Sequence, residues 1–409
     1  MLWAVGNSER IVDVLGHEYD HYDPEFALHP HEAYAVLRAQ CPVGHSDAYG
    51  GFYVVSRYED IDFVVHNPET FSSYPADTPP PPTHTRRLPP FESDPPDHRH
   101  YRRIVDPLFG PKKVNLLEPA LRTAARALVD GMVEQKEFDF LTAFARPYPS
   151  TAFLSLIGVD ASGTTRDQLV DWVERVLHTT GAETGDAEAR TAARVEAALA
   201  LRAFLSDVLD ASRDKDGTIF HSLFASLFAG ERPLSRSEVL DFSYLLVLAG
   251  VDTVTTALGF SFMHLAERPD LQDELATDPG RIPAAIEEFL RFETAVHPSR
   301  TVVAPCSLGG VSLEPGDRIV IPYTSADRDE KAFDQPDELQ IDRSPNRHFA
   351  FGGGSHRCLG SHLARLEMRV AFEEILARVP EFSVPPDGTI AAYGGQTRSL
   401  ASLPFRTWR

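Results

Sequence analysis

A cysteine lies between a glycine-rich segment and an apolar helical pattern in the stretch FGGGSHRCLGSH, residues 351–362. Cys358 is one of only three cysteines in this chain of 409 residues. A thiolate at the start of a helix lies at the positive end of the helix dipole, which lowers its pKa. The glycines at 352–354 and Gly360 have no Cβ, so the backbone can lie close against a flat partner. The residue types therefore indicate a cysteine whose sulfur is bonded to a group held by this loop.

The residues alone leave four functions open for this cysteine. A thiolate on a flat surface suits the axial ligand of a haem iron. A buried structural cysteine is the ordinary alternative, and a nucleophile would need a base and an oxyanion hole. His356, Cys358 and His362 could also bind zinc, but no CxxC pair supplies further ligands.

Several helices and a smaller β-rich part are predicted to position this loop. Ser235 and Glu238 form a capping-box signature before an apolar pattern of about thirty residues that Pro269 ends. A second helix is predicted over 282–292, and the last begins after Cys358 and ends before Pro380. Its apolar positions 359, 363, 366 and 370 follow the helical period. Strands are predicted in GFYVVSRYEDIDFVV and in TVVAPCSLGGVSLEPGDRIVIPYT, where Gly-Gly and Pro-Gly-Asp signal turns.

Composition excludes some classes of protein. The net charge of −21 disfavours nucleic acid as a partner, because phosphate binding needs a basic face. Three scattered cysteines indicate a reducing compartment. We see neither a signal-peptide pattern nor an unbroken run of about eighteen apolar residues, so no membrane anchor is expected. The proline-rich segment 74–98 is either a linker between domains or a loop over a ligand cavity.

The run F-G-G-G-S-H-R-C-L-G resembles the haem-binding signature F-x-x-G-x-x-x-C-x-G of the cytochrome P450 family. The resemblance, which extends from about residue 94 to 404, implies a mainly α fold with a small β-rich part, a triangular helical prism around a buried haem. It implies one domain over 1–409. The β-rich portion is expected mainly within 40–70, 300–325 and 383–409, and the helical portion over about 98–295 and 359–379.

Further signatures of the family occur in order along the chain. EEFLR resembles the E-x-x-R pair, and DPPDHRHYR resembles the D-P-P-x-H-x-x-x-R run that holds a haem propionate. LAGVDTVTT resembles the A-G-x-D-T signature of the helix on the distal side of the haem, where a hydrogen bond from Thr253 to the Ala249 carbonyl would loosen the helix.

These resemblances imply a role for each residue that matches a motif. Cys358 is the expected iron ligand of haem b, and Asp252 and Thr253 are the expected catalytic pair that relays protons. The expected haem contacts are His98, Arg102, Ala249, Gly250, Arg300, Phe351, Gly352, His356 and Gly360. The expected structural ion pairs join Glu288, Arg291 and Arg343, with Arg347 as the alternative third member. The expected substrate pocket includes Leu245, Leu248, Ala295, Val296, Pro298 and Thr397, together with the 74–92 loop.

The resemblance also implies an activity and its partners. We expect a cytoplasmic haem-thiolate monooxygenase that inserts one atom of O2 into a small hydrophobic substrate. No flavin or ferredoxin module is attached, so electrons are expected from a separate ferredoxin and its NAD(P)H-driven reductase, which dock on basic residues such as Arg103, Arg357 and Arg365. A peroxide-driven haem enzyme and a non-enzymatic haem or zinc protein are the rival interpretations.

Overall fold

The computed structural model describes residues 19–79, 87–161, 163–178, 187–213, 218–379 and 381–407. The described α-helices are α1 Pro24–Leu28, α2 His31–Gln40, α3 Tyr58–His66, α4 Asp97–Val105, α5 Pro111–Val114, α6 Glu118–Val133, α7 Pro147–Leu156, α8 Gly163–Leu177, α9 Ala187–Ser212, α10 Ile219–Phe224, α11 Arg236–Ala266, α12 Pro269–Thr277, α13 Ile282–Phe292, α14 Tyr323–Ala326 and α15 Ser361–Leu376. The described strands are β1 Val43–Ser46, β2 Phe52–Val55, β3 Phe71–Ser72, β4 Glu137–Asp139, β5 Leu227–Phe228, β6 Arg232–Pro233, β7 Ser299–Val302, β8 Cys306–Leu308, β9 Val311–Leu313, β10 Arg318–Val320, β11 Phe382–Ser383, β12 Ala391–Tyr393, β13 Ser399–Ser402 and β14 Pro404–Thr407.

The strands form one larger sheet and several small ones. The five-stranded sheet has the order β1-β2-β10-β7-β3, with β2 and β10 parallel and its other neighbours antiparallel. A three-stranded sheet has the order β11-β14-β4. Gly309 and Gly310 turn the chain from β8 to β9 with φ of 54° and 86°, as the Gly-Gly signal predicts. The predicted combination of a mainly helical chain and a small β-rich part is confirmed.

Helix α11 crosses the middle of the protein. Ser235 and Glu238 form the predicted capping box, and the helix continues for 31 residues before it ends ahead of Pro269. Leu258, Phe260 and Phe262 are almost completely buried in the core that α11 shares with α6, α13 and α15. The helix is long and apolar enough to cross a membrane, but most of its apolar window is buried inside the protein.

One predicted strand is a helix. The second half of GFYVVSRYEDIDFVV forms α3, whereas only its first residues form β2. Ile61, Val64 and Val65 are buried while Asp62 and Phe63 are exposed. This spacing of buried residues has the helical period, and the acidic Glu59 and Asp60 in the first turn of the helix favour its N-terminus. The abundance of β-branched and aromatic residues in this stretch hid that pattern.

The proline-rich segment is attached to the sheet at its described beginning. The backbone of Ala76 accepts a hydrogen bond from Ser299 N at 2.9 Å, and Thr301 Oγ1 donates to the Tyr74 carbonyl at 2.9 Å. Glu92 receives the backbone N–H groups of Ala76 and Leu88 at 2.9 and 2.8 Å, which brings the two ends of the segment together. These contacts favour a loop that covers part of the fold over a linker. Residues 80–86, which include Arg86, lie outside the described residues.

Candidate active site

The cysteine loop turns sharply before α15. Cys358 N donates to the Phe351 carbonyl at 2.8 Å, and Gly352 N donates to the Phe349 carbonyl at 2.7 Å. Gly352 and Gly354 have φ of 64° and 59°, in the left-handed region that glycine adopts readily. The loop is therefore closed by its own backbone hydrogen bonds and places the Cys358 side chain just ahead of the helix.

The glycines of this loop pack mainly against protein. A Cβ on Gly353 would come within 2.9 Å of Val65 and Phe349, and a Cβ on Gly354 would overlap the Val65 carbonyl oxygen. A Cβ on Gly352 would approach the Tyr323 hydroxyl at 3.4 Å. Gly353 and Gly354 thus allow α3 to lie close to the loop. The crowding at these two glycines comes from α3 and Phe349, and their expected role toward a flat partner stays a prediction.

The Cys358 side chain is accessible to solvent, but many protein atoms surround its sulfur. Burial raises the pKa of the Cys358 thiol, whereas the Gly360 N–H and the nearby guanidinium of Arg102 act in the opposite direction. The expectation of a lowered pKa from the helix dipole alone was wrong, because α15 begins only at Ser361 and removal from water outweighs it. A deprotonated sulfur here therefore requires a positively charged partner such as a metal ion.

The zinc interpretation does not fit the site. His356 lies against Ser73 and His98, and His362 is exposed. Within the part of the chain that the structure describes, no group of three His, Cys, Asp or Glu side chains could hold a metal ion. Cys358 therefore offers a single soft ligand, which suits a metal whose other ligands come from a macrocycle.

A cluster of basic side chains forms beside the cysteine loop. Arg300 on β7 is buried, and burial lowers the pKa of its guanidinium. The imidazole rings of His98 and His356 lie 4.1 Å apart, and burial together with Arg300 lowers the pKa of His356 to about 2. Burial, with Arg102 as the next cause, lowers the pKa of His98 to about 4. The cluster disfavours further positive charge and suits an anionic group such as a carboxylate.

Arg102 already has partners within the protein. Its Nε lies 2.7 Å from Asp106, and its Nη1 donates to the Arg357 carbonyl at 2.9 Å. Arg102 therefore links α4 to the cysteine loop. Since two of its donors are used in this way, it has fewer left for an anionic group than the signature implies, and Arg300 is the better placed guanidinium.

The E-x-x-R residues form a buried ion pair. Both side chains are completely buried on α13, and Arg291 Nε and Nη2 donate to the two oxygens of Glu288 at 2.8 Å each. Arg291 also donates to the carbonyls of Asp327, Pro336 and Glu338, at 2.7, 2.9 and 3.2 Å. The pair thus fixes the segment that precedes the cysteine loop, unlike an exposed ion pair of small value.

Arg343 is the third member of this group. Its Nε donates to both oxygens of Glu288 at 3.1 and 3.2 Å, whereas Arg347 is exposed. Asn346 Nδ2 and the backbone of Gln340 add donors at 3.2 and 2.9 Å. Glu288 therefore accepts six hydrogen bonds from five donor groups, and this full set of partners compensates for the burial of its side chain.

Small residues expose the middle of α11. Ala249 and Gly250 are exposed although Val247 and Val251 beside them are buried, and a Cβ on Gly250 would meet no atom within 4 Å. Leu359 and Leu363, which follow the cysteine, pack on the same core cluster as Val247 and Val251. The thiol and this open face of α11 thus belong to one part of the molecule. An exposed thiol, an open helix face and a basic cluster for carboxylates fit a haem.

Thr253 binds back to its own helix. Its Oγ1 donates to the Ala249 carbonyl at 2.7 Å, the hydrogen bond that the sequence predicts. The helix remains α-helical through this turn, so the predicted loosening is absent from its backbone. The hydroxyl is only partly buried and lies on the turn of α11 that carries the two small residues.

Asp252 has a partner that the sequence analysis missed. Its Oδ1 lies 2.8 Å from His178 Nε2, just after α8, and both side chains are buried. The two residues are 74 positions apart. A histidine directly after a helix carries no signature of its own, and only packing of α8 on α11 brings it to Asp252.

The predicted pocket residues come partly together. Val296 forms an antiparallel bridge with Thr397, and Arg398 N donates to the Ala295 carbonyl at 3.0 Å, so these two segments are adjacent. Pro298 is buried. Leu248 packs on the core cluster that contains α8 and α9, whereas Leu245 is half-buried and belongs to none of the core clusters. Leu248 therefore serves at least partly as core.

The chain resembles known proteins in both sequence and fold. A family profile described as Cytochrome P450 matches residues 282–392. The chain is 33% identical to the probable cytochrome P450 127A1 of Sinorhizobium fredii over 88% of this chain and 84% of that protein. It is 31% identical to the vitamin D(3) 25-hydroxylase of Pseudonocardia autotrophica, covering 95% and 96% of the two chains.

Solved cytochrome P450 structures have the same fold as this chain. The crystal structure of CYP101J2 superposes with a TM-score of 0.84, 27% identity and 96% of each chain covered. A mutant of P450 EryK in complex with erythromycin B superposes with a TM-score of 0.83 and 31% identity, over 95% of this chain and 97% of that chain. The chain therefore belongs to the cytochrome P450 family, whose members bind haem and are monooxygenases. The predicted family, fold class and enzyme class are confirmed.

Proposed function

We propose that this cytochrome P450 inserts one oxygen atom of O2 into a hydrophobic small molecule with electrons from a ferredoxin. The cofactor is haem b, which when bound supplies the iron that activates O2. The observation that carries the proposal is the arrangement of the exposed Cys358 thiol, the exposed small residues of α11 and the buried basic cluster at Arg300. The whole chain forms one functional domain.

Each part of the chain has its own task. The Cys358 sulfur would bind the haem iron, and a thiolate ligand there would supply electron density to the iron. Arg300, His98 and His356 would hold the carboxylates of the haem, because charge-assisted hydrogen bonds to carboxylates are strong. Thr253 and Asp252 deliver the protons that the reaction consumes. Ala249 and Gly250 leave room for O2 beside the helix.

The substrate is hydrophobic. Leu245, Ala295, Val296 and Pro298 are apolar, and apolar linings bind apolar ligands. A related vitamin D(3) hydroxylase and the solved complexes of CYP109E1 from Bacillus megaterium with corticosterone and testosterone support this class of substrate. Among the described residues of the proline-rich segment, Arg87 stacks on the Tyr74 ring, with 4.7 Å between its guanidinium carbon and the ring centroid. It also forms an ion pair with Asp94 at 3.4 Å.

The redox partner docks on the side of the cysteine loop, and the enzyme acts in the cytoplasm. Arg103 and Arg357 are exposed there, and α5, which packs near α15, adds the exposed Lys112 and Lys113. Arg365 does not belong to this docking surface. It binds both oxygens of Glu287 at 2.6 and 2.7 Å and covers the Phe351 ring at 4.3 Å, so its charge is already paired.

Spectra and turnover test this function. The reduced protein with carbon monoxide is expected to show the far-red-shifted Soret band of a thiolate-bound haem. Turnover driven by ferredoxin, reductase and NAD(P)H is expected to exceed peroxide-driven turnover and to fall as salt screens the basic surface. A colourless zinc-containing protein would refute the proposal, and equal turnover with peroxide alone would favour a peroxygenase.

Thr253→Ala is expected to separate electron use from product formation. The variant keeps haem and substrate binding, because its hydroxyl bonds only to the Ala249 carbonyl among the described contacts. Without the hydroxyl, the rate of proton delivery should fall by about 100-fold or more, since general acid catalysis contributes roughly 10²–10⁴-fold. Product per NADH should fall while hydrogen peroxide rises. Thr253→Ser restores the hydroxyl and is the matched control, and an unchanged product yield in the alanine variant would remove this role.

A further inference from the structure

We propose that His178 supplies protons to Asp252 and thereby sets the pH dependence of the proton relay. This inference rests on the proposed monooxygenase function and extends the relay to a residue outside the family's signatures. His178 contacts Asp252 directly, so it acts on the reaction through that carboxylate.

The contact has the geometry of a strong hydrogen bond. His178 Nε2 lies 2.8 Å from Asp252 Oδ1, and the two side chains are only 2% and 5% exposed. The imidazole also stacks on the ring of Tyr393, with 5.0 Å between centroids and 17° between planes. The ring is therefore held in one orientation, and its Nε2 is directed at the carboxylate.

The pair borders a small cavity, lined by both apolar and charged residues, on the side of α11 that faces α8. The cavity, of about 10 Å3, has room for about one water molecule. Besides the pair, its charged and titratable lining consists of Arg146, Glu174 and Tyr393. Burial raises the pKa of Glu174 against the opposing effect of Arg146, so this carboxyl holds a proton more readily than an exposed one.

One carboxylate oxygen of Asp252 has no hydrogen-bond partner among the described residues. Its Oδ2 is buried and accepts no hydrogen bond from the described residues, whereas Oδ1 faces His178. A buried carboxylate oxygen without a partner is costly and calls for an explanation. A carboxyl that receives a proton at Oδ1 and passes one on from Oδ2 explains both features.

The proposed step is a proton transfer that balances with the reaction. Monooxygenation converts RH, O2, two electrons and two protons into ROH and water. The proton on Nε2 of the imidazolium moves to Asp252, which leaves a neutral imidazole and a carboxyl group that serves the Thr253 side of α11. The imidazole then regains a proton from the cavity side, at Glu174 or a water. Imidazole suits this task because it has two ring nitrogens, so it can donate a proton on one side and accept one on the other.

A purely structural role makes a different prediction. If His178 only orients Asp252, any side chain that donates a hydrogen bond at this position will serve. His178→Gln keeps an N–H donor for Asp252 but does not titrate, and His178→Phe keeps a ring to stack on Tyr393 but has no donor. His66→Gln is the control, because this histidine is exposed on α3.

The experiment measures product, hydrogen peroxide and NADH in the haem-loaded enzyme between pH 5.5 and 8, with the reconstituted ferredoxin system. His178→Gln is expected to lower product per NADH about tenfold and to flatten its pH dependence. The effect is smaller than the roughly 10²–10⁴-fold of a direct general acid, because His178 acts through Asp252. His178→Phe should do the same, and His66→Gln should match wild type. A wild-type coupling and pH profile in His178→Gln would overturn the relay.

A spectroscopic measurement adds a readout that does not depend on turnover. In protein labelled with 15N-histidine, the signal missing from His178→Gln identifies the His178 ring. Its nitrogen shifts should change in Asp252→Asn, and an unchanged signal would show that the pair does not share a proton. If wild type forms no product with either ferredoxin or peroxide, the proposed function itself fails, whereas product in wild type with unaltered His178 variants refutes the relay alone.

Discussion

Cys358→Ser is expected to abolish the thiolate spectrum and nearly all monooxygenation while the protein still binds haem. A serine hydroxyl is a weaker electron donor than a thiolate, so an iron bound there would lose the electron density that the thiolate would supply. Haem is retained because Arg300, His98 and His356 still hold its carboxylates. Since loss of a residue that merely supports a metal ligand costs 10–100-fold in activity, loss of the ligand should lower turnover by more than about 100-fold.

The measurements for this variant are the reduced carbon monoxide spectrum and the product rate. Cys306→Ser is the matched control, because Cys306 is half-buried on β8, away from the basic cluster, and burial raises the pKa of its thiol. It should show the wild-type spectrum and rate. A Cys358→Ser protein with an unaltered Soret band would show that another residue binds the iron.

The sequence predicted those features that depend on neighbours along the chain. The capping box of Ser235 and Glu238, the helix Ile282–Phe292 and the hydrogen bond from Thr253 to Ala249 all follow from residues at most four positions apart. Local geometry dictates such contacts, and the motif residues around Cys358 are likewise close together in the sequence. The burial of the E-x-x-R pair is an exception. It was expected only from the family resemblance, because the spacing of these residues also fits an exposed pair.

Features that depend on packing could not be predicted. His178 meets Asp252 only because α8 lies against α11, and no pattern in the sequence marks that contact. Gly353 and Gly354 are required by Val65, which comes from a stretch that reads as a strand and folds as α3. The pKa of the Cys358 thiol depends on burial, which opposes the effect expected from the helix dipole. These features depend on parts of the chain that only the folded structure brings together.

Arg291→Ala is expected to cost about 3–5 kcal/mol of the free energy of unfolding, because breaking a buried ion pair leaves an uncompensated charge. Glu288 would keep Arg343 but lose two hydrogen bonds of 2.8 Å in a completely buried position. The carbonyls of Asp327 and Pro336 would lose their Arg291 donor as well, whereas the Glu338 carbonyl would keep Arg343 Nη2 at 3.1 Å. Since domains are stable by only about 5–15 kcal/mol, such a loss removes much of the total.

Urea unfolding of the haem-free and haem-loaded proteins measures this effect, and the matched control is Arg268→Ala. Arg268 pairs with Asp270 at 2.6 Å, but the two side chains are 45% and 66% exposed, so this loss should stay within about 1 kcal/mol. Arg291→Lys keeps the charge but offers no planar fork, and it should fall between the two. If Arg291→Ala were as stable as Arg268→Ala, the buried pair would not hold the segment before the cysteine loop. The position of Cys358 would then have to depend on the loop's own hydrogen bonds and its glycine packing against α3.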